Sequence, residues 1–163
     1  MIKATITPAT GDLTGQLFRH AKLEIDDRHI LDLQWQFGFR RRGLHLTAPA
    51  SNKTLATTTT KTRGFPPRTH YILEVTGNPP GVPTTSIHYR WFNPRLQLGE
   101  ESFTPQMLRT GDDTFLAFDT RHWGFLVNDY ETALHLHVAE QHLLLPIAFT
   151  AYFVWTYHTV GRG

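Results

Sequence analysis

Cysteine is absent from this chain of 163 residues, which excludes disulfides and thiolate metal sites and leaves nothing pointing to an oxidising compartment. Charge is also scarce. Asp, Glu, Lys and Arg make up 18% of the residues, and the formal net charge is +2. A balance that mild, with its basic residues scattered, leaves no electrostatic footprint for nucleic acid, which is not an expected partner. Residues 1–9 hold one Lys and no apolar run of signal-peptide length, so no leader is expected and the expected location is the cytoplasm. The sequence contains no phosphate-cradling glycine loop, nucleophile elbow or dinucleotide fingerprint. Enzyme chemistry therefore has no positive support, and no cofactor is expected.

Aromatic residues, at 12% of the chain, and a wealth of Thr favour strands over helices for most of its length. Residues 1–163 fit one domain with a single core. A first strand around Thr5–Thr7 stops at Pro8, and Gly11 with Asp12 marks a turn. The clearest hairpin alternates Leu23 and Ile25 against Lys22 and Glu24, turns at Asp26 and Asp27, and resumes a period of two through Leu31, Leu33 and Trp35. Gly38 and Gly43 flank the run Arg40, Arg41, Arg42, where a strand can bulge. Thr54–Thr62 is almost wholly β-branched or polar, and Gly64, Phe65, Pro66 and Pro67 form a connector. Gly77–Pro83 cannot hold a ladder and reads as a surface loop near the midpoint, one that could divide two β halves. Further strands are expected around a turn at Asn93 and Pro94, around Gly111 and Asp112, and over Trp123–Val127 and Ala133–Val138, for about twelve in all.

The character changes at Leu143. From there to Val160, eighteen residues carry no formal charge and are apolar on most faces, the pattern of a helix buried all round. Pro146 suits a helix beginning near His142, because a first-turn proline surrenders an amide that would lack a helical partner. The expected helix spans about 142–160. With its side chains a helix is about 10–12 Å across, and an eight-stranded barrel is already filled, so enclosing one needs a larger can. The expected fold is therefore mainly β, a roughly twelve-stranded antiparallel barrel around one apolar C-terminal α-helix. The rival is an integral membrane anchor over 143–160, since eighteen residues rise about 27 Å. Pro146, Thr150, Thr156, Tyr157 and His158 weigh against it.

Hairpins in series, a Gly/Pro break near the middle, the strand at Trp123, Gly124 and Phe125, and a last strand running straight into an apolar helix over Ala133–Trp155 carry a resemblance. In this order of elements the chain resembles the tubby C-terminal-like superfamily, which includes phospholipid scramblases and LURP-one-related proteins. The resemblance implies a twelve-stranded barrel around the C-terminal helix and a non-enzymatic module that recognises anionic membrane phospholipid or a protein partner through its outer surface.

Two clusters of side chains are candidates for chemistry. Arg40 and Arg42, with Lys61, Arg63 and Arg68, are candidates for a lipid-headgroup or phosphate site, because guanidinium groups bind phosphate oxygens bidentately. Phe39 or Phe65 would then dip into the interface, and the protein would sit peripherally at the membrane. A solvated strand edge guarded by charge explains the same residues. His135, His137, Glu140 and His142 form the alternative, a metal site. The two strand histidines share a face, and their spacing resembles the cupin His-x-His pattern, with one residue fewer before Glu140. Outward histidines with Leu134, Leu136 and Val138 inward are the simpler account of that cluster. His88, Tyr89, Arg90, Trp91 and Arg95 mix cations with aromatics as a stacking surface would, though a half-buried strand is the simpler account. Three functions follow: a surface-binding module, a metal-dependent enzyme using His135, His137 and Glu140, or a small-ligand carrier with a hollow barrel.

Overall fold

The fold is given by a computed structural model that describes residues 2–9, 20–36, 43–90, 93–104, 109–110, 114–117, 125–128 and 133–160. Alternation produces its strands. Ala21 and Leu23 are buried against exposed or half-buried Lys22 and Glu24, and Leu31, Leu33 and Trp35 against Asp32 and Gln34. Between them Asp26 and Asp27 take φ of 49° and 58°, the left-handed pair that a two-residue hairpin turn requires.

Thirteen strands form one sheet among the described residues. They are β1 (Ile2–Pro8), β2 (His20–Ile25), β3 (Arg28–Gln36), β4 (Gly43–Ala48), β5 (Lys53–Arg63), β6 (Arg68–Val75), β7 (Thr85–Arg90), β8 (Asn93–Leu98), β9 (Glu101–Phe103), β10 (Arg109–Thr110), β11 (Thr114–Ala117), β12 (Phe125–Asn128) and β13 (Leu134–Val138). Every neighbouring pair is antiparallel, in the order β10-β11-β12-β13-β1 and on through β9. The last strand thus pairs with the first, Ile2 opposite Val138 and Ile6 opposite Leu134.

Four expectations are corrected here. The strand count is thirteen, because Glu101–Phe103 returns from a turn at Gly99 and Glu100 to pair with β8, too short a segment to show a period. The expected closed barrel is an open sheet among the described residues, since the ladder ends at three-residue β9 and two-residue β10 with no pairing between them. The Gly77–Pro83 loop divides nothing, because β6 and β7 on either side of it pair directly from Thr69–Tyr89 to Ile72–Ser86. Asn93 and Pro94, read as a turn, begin β8.

The one α-helix among the described residues, α1 (Leu144–Val160), is packed into the core formed by the sheet. Residues 146–156 are buried without interruption, which accounts for three full turns on every face. Phe149 is 0%, Phe153 1% and Trp155 0% exposed, and Trp35 of β3, Tyr71 of β6 and Tyr89 of β7 all reach Phe153 with ring centroids 5.5–6.4 Å away. The hollow interior of a ligand carrier is corrected accordingly: helix side chains occupy the space. Two buried hydroxyls in the helix are satisfied locally, Thr150 Oγ1 donating to the Pro146 carbonyl (2.9 Å) and Thr156 Oγ1 to that of Phe153 (3.0 Å).

The helix starts two residues later than expected, after a 3-10 turn at Gln141–Leu143. An α-helical first turn at His142 would need an amide on Pro146 to reach the His142 carbonyl, and proline has none. The chain instead tightens, Leu143 N donating to Glu140 O at 3.0 Å. Among the described residues no helix is long and apolar enough to cross a membrane.

Gly43 opens β4 at φ 155°, where a Cβ would lie 2.5 Å from Thr58 Cβ. The close approach has a function in the sheet. Thr58 Oγ1 accepts from Leu44 N (3.0 Å) and donates to Leu44 O (2.7 Å), replacing the β4–β5 ladder beyond Leu46. Gly43→Ala is expected to cost about 1–3 kcal/mol through clash and backbone strain. Urea unfolding checks it, and adding Thr58→Gly should return part of the loss; an unchanged midpoint for Gly43→Ala would refute the clash.

Candidate functional site

Inward Ala56, Tyr71, Ile87 and Leu96 set which way every other side chain on their strands points. On β5 the outward residues towards the turn are Lys61 and Arg63, and on β6 they are Arg68 and His70. Arg63 stands directly opposite Arg68, and the four-residue turn 64–67 between them holds Gly64 at φ 81°. At its tip Phe65 is 99% exposed. A large ring in full contact with water, at a turn whose ends carry two arginines, has no role in the core.

The strand register extends the basic surface sideways. Lys61 is opposite His70, His70 opposite His88, and His88 opposite Arg95, so four outward side chains form one row across β5, β6, β7 and β8. With strands about 4.8 Å apart the row spans roughly 14 Å. The His70 and His88 rings meet at 5.0 Å, tilted by 37°. Burial, then the neighbouring His88 and Lys61, hold the His70 imidazole below its ordinary value of 6.5. Among the described residues no carboxylate pairs with Lys61, Arg63, Arg68, His70, His88 or Arg95.

Other connections share this end of the sheet. Arg90 pairs with Asn93 where β7 passes to β8, and Gln36 pairs with Gly43 on either side of residues 37–42. Phe39, Arg40 and Arg42 themselves lie outside the described residues, as do Arg121, His122 and Trp123. Of the sequence-derived basic set, the structure therefore brings together Lys61, Arg63 and Arg68, while Lys53 sits at the far end of β5. At that far end the loop 76–84 overhangs a half-open groove of about 460 Å³ walled by Leu73, Val75, Val82, Pro83 and Glu74.

The histidine-rich segment divides into separate pairs. His135 and His137 face outward on β13 between buried Leu134, Leu136 and Val138, and His135 Nδ1 meets Thr5 Oγ1 at 3.3 Å. Beyond the strand, His142 Nδ1 pairs with Glu140 Oε2 at 3.2 Å. Among the described residues no three His, Asp or Glu side chains are grouped to hold a metal ion. Tyr89 of the aromatic and cationic segment points inward and meets Tyr71 edge-on at 5.7 Å, so it is no stacking platform.

Sequence reading missed two arrangements. Asp32 Oδ1 accepts from His20 Nε2 (2.9 Å) and His29 Nε2 (3.0 Å), tying β2 to β3 on their outer face. His70 and Arg95 were not joined to Lys61, because only strand register places residues so distant in sequence on one row. The offset of 18 residues between His70 and His88 is a signal only once the intervening loop length is known. Comparison with protein-family models, with curated proteins and with solved structures found no match to this chain.

Proposed function

We propose that this chain is a non-enzymatic binding module that docks on an anionic phospholipid surface through the β5–β6 tip and the basic row beside it. The carrying observation is Phe65, fully exposed between Arg63 and Arg68. An aromatic ring gains by entering the headgroup boundary, and cations at its flanks gain from the negative potential of anionic lipid. The backbone pairs Arg90–Asn93 and Gln36–Gly43 end on the same side of the sheet as this tip. A tubby-like kinship is consistent with this reading: an antiparallel meander whose last strand runs into an apolar helix surrounded by the sheet leaves the outer face and the turns to carry recognition.

Co-sedimentation with vesicles of phosphatidylcholine containing phosphatidylglycerol tests the reading. Wild-type protein should bind, and not to phosphatidylcholine alone. Arg63→Ala with Arg68→Ala should weaken binding about thirtyfold, at about 1 kcal/mol for each cation near the surface. Phe65→Ser should weaken it roughly tenfold, from loss of part of a phenyl ring's transfer free energy. Wild-type protein that fails to sediment, or variants that bind as well as wild type, would overturn the proposal.

A further inference from the structure

The proposed docking face contains a feature that simple attraction to anionic lipid does not need. Lysine and arginine alone would give a charge independent of pH, yet the centre of the row is His70 against His88, with Lys61 and Arg95 outside them. We infer that the His70–His88 pair makes docking acid-strengthened, so that the protein holds an anionic surface more tightly as the pH falls. This inference rests on the docking reading above.

The surroundings of the pair decide the direction. From β5 the facing groups are Lys61 and Arg63, from β6 itself Arg68, and from β8 Arg95, all cationic. The acid on β6, Glu74, stands opposite Thr57, two outward positions away and so about 13 Å along the strand. Glu100 and Glu101 lie at the β8–β9 turn, beyond Leu98 and towards the other end. Among the described residues, a proton on either imidazole of the free protein therefore meets only like charge at close range. Partial burial, and then the neighbouring His88 and Lys61, hold the His70 ring below 6.5. An anionic surface laid against the row supplies the missing countercharge and favours the protonated rings. Linkage is reciprocal: if docking promotes proton uptake, proton uptake promotes docking by the same factor.

The sign follows. Above about pH 7.5 ordinary imidazoles are neutral, and docking rests on Lys61, Arg63, Arg68, Arg95 and Phe65. As pH falls past the depressed value of His70, its protonated form is favoured first in the docked state, where anionic lipid supplies countercharge, and affinity rises. Each added charge at an anionic surface is worth about fivefold.

Phosphatidylglycerol vesicles, whose phosphodiester charge does not change in this range, are the probe. Wild-type affinity should rise by between about fivefold and thirtyfold from pH 7.5 to pH 5.5. The double variant His70→Gln with His88→Gln should match wild type at pH 7.5 and lose that rise. His135→Gln, on distant β13, should keep it. Wild-type binding at both pH values without a rise, or a double variant that retains the rise, overturns this inference and leaves the docking reading intact. Absence of binding at both pH values overturns both.

Discussion

Deletion of residues 143–163 is expected to yield a chain that does not fold. The sheet would lose the body it wraps, and the inward faces of its strands, among them Ile6, Leu23, Leu33, Leu46, Ile87 and Leu136, would be turned to water. At about 25 cal/mol for each Å² of apolar surface, exposing even half of such a lining exceeds the ~5–15 kcal/mol by which a domain of this size is stable. Soluble yield and a circular dichroism melt are the measurements, with aggregation or an absent transition as the expected result. A soluble, cooperatively melting product would show that the helix is an external suffix and would refute its central position.

Phe153→Ala is expected to be the most costly single truncation in the molecule, at about 3–5 kcal/mol. The ring is the meeting point of the core. Phe149 lies 5.0 Å, Tyr71 5.5 Å, Trp35 5.7 Å and Tyr152 5.9 Å from it, and Tyr89 6.4 Å, so β3, β6 and β7 are joined to the helix through one side chain. Edge-to-face pairs add to what burial alone contributes. Trp35 stacked on Tyr152 at 6.4 Å leaves little freedom for the walls to collapse into the hole. Urea unfolding is the test. Phe65→Ala is the matched control, because the same chemical change on a fully exposed ring should shift stability by no more than about 0.5 kcal/mol. Equal effects at the two positions would contradict the placement of the helix.

These two phenylalanines illustrate what could be read in advance. Phe153 belongs to a run with no polar face, and a helix of that kind can satisfy its surface only inside something else. Its burial was therefore legible, and so was Pro146 as a first-turn residue, though not that its missing amide would draw the preceding turn into a 3-10 form. Phe65 was legible as part of a connector and as a candidate interface residue, but not as a fully exposed ring. Its complete exposure depends on the β5–β6 pairing reaching all the way to Arg63 and Arg68, a length that composition does not state. Strand β9 escaped notice because three residues carry no period. The Gly77–Pro83 loop was overread as a division because a break in the ladder along the chain is not a break in the sheet. Metal ligation by His135, His137, Glu140 and His142 needed convergence, and the turn after β13 instead paired Glu140 with His142 and left the strand histidines facing outward.

By itself the sequence determined the local structure: alternation made the hairpins, paired aspartates made a left-handed turn, and an uncharged run made a helix that has to be buried. Those are properties of neighbours within a few residues, where periodicity and turn chemistry act. Only the tertiary structure decided that the last strand pairs with the first, that among the described residues the ladder stops short of closing at β9 and β10, and that Lys61, His70, His88 and Arg95 stand in one row. Register is the reason. A shift of one residue in any of three ladders would turn part of that row towards the core, and what prevents the shift is the packing of Tyr71, Ile87 and Leu96 against the interior, not anything in the row itself.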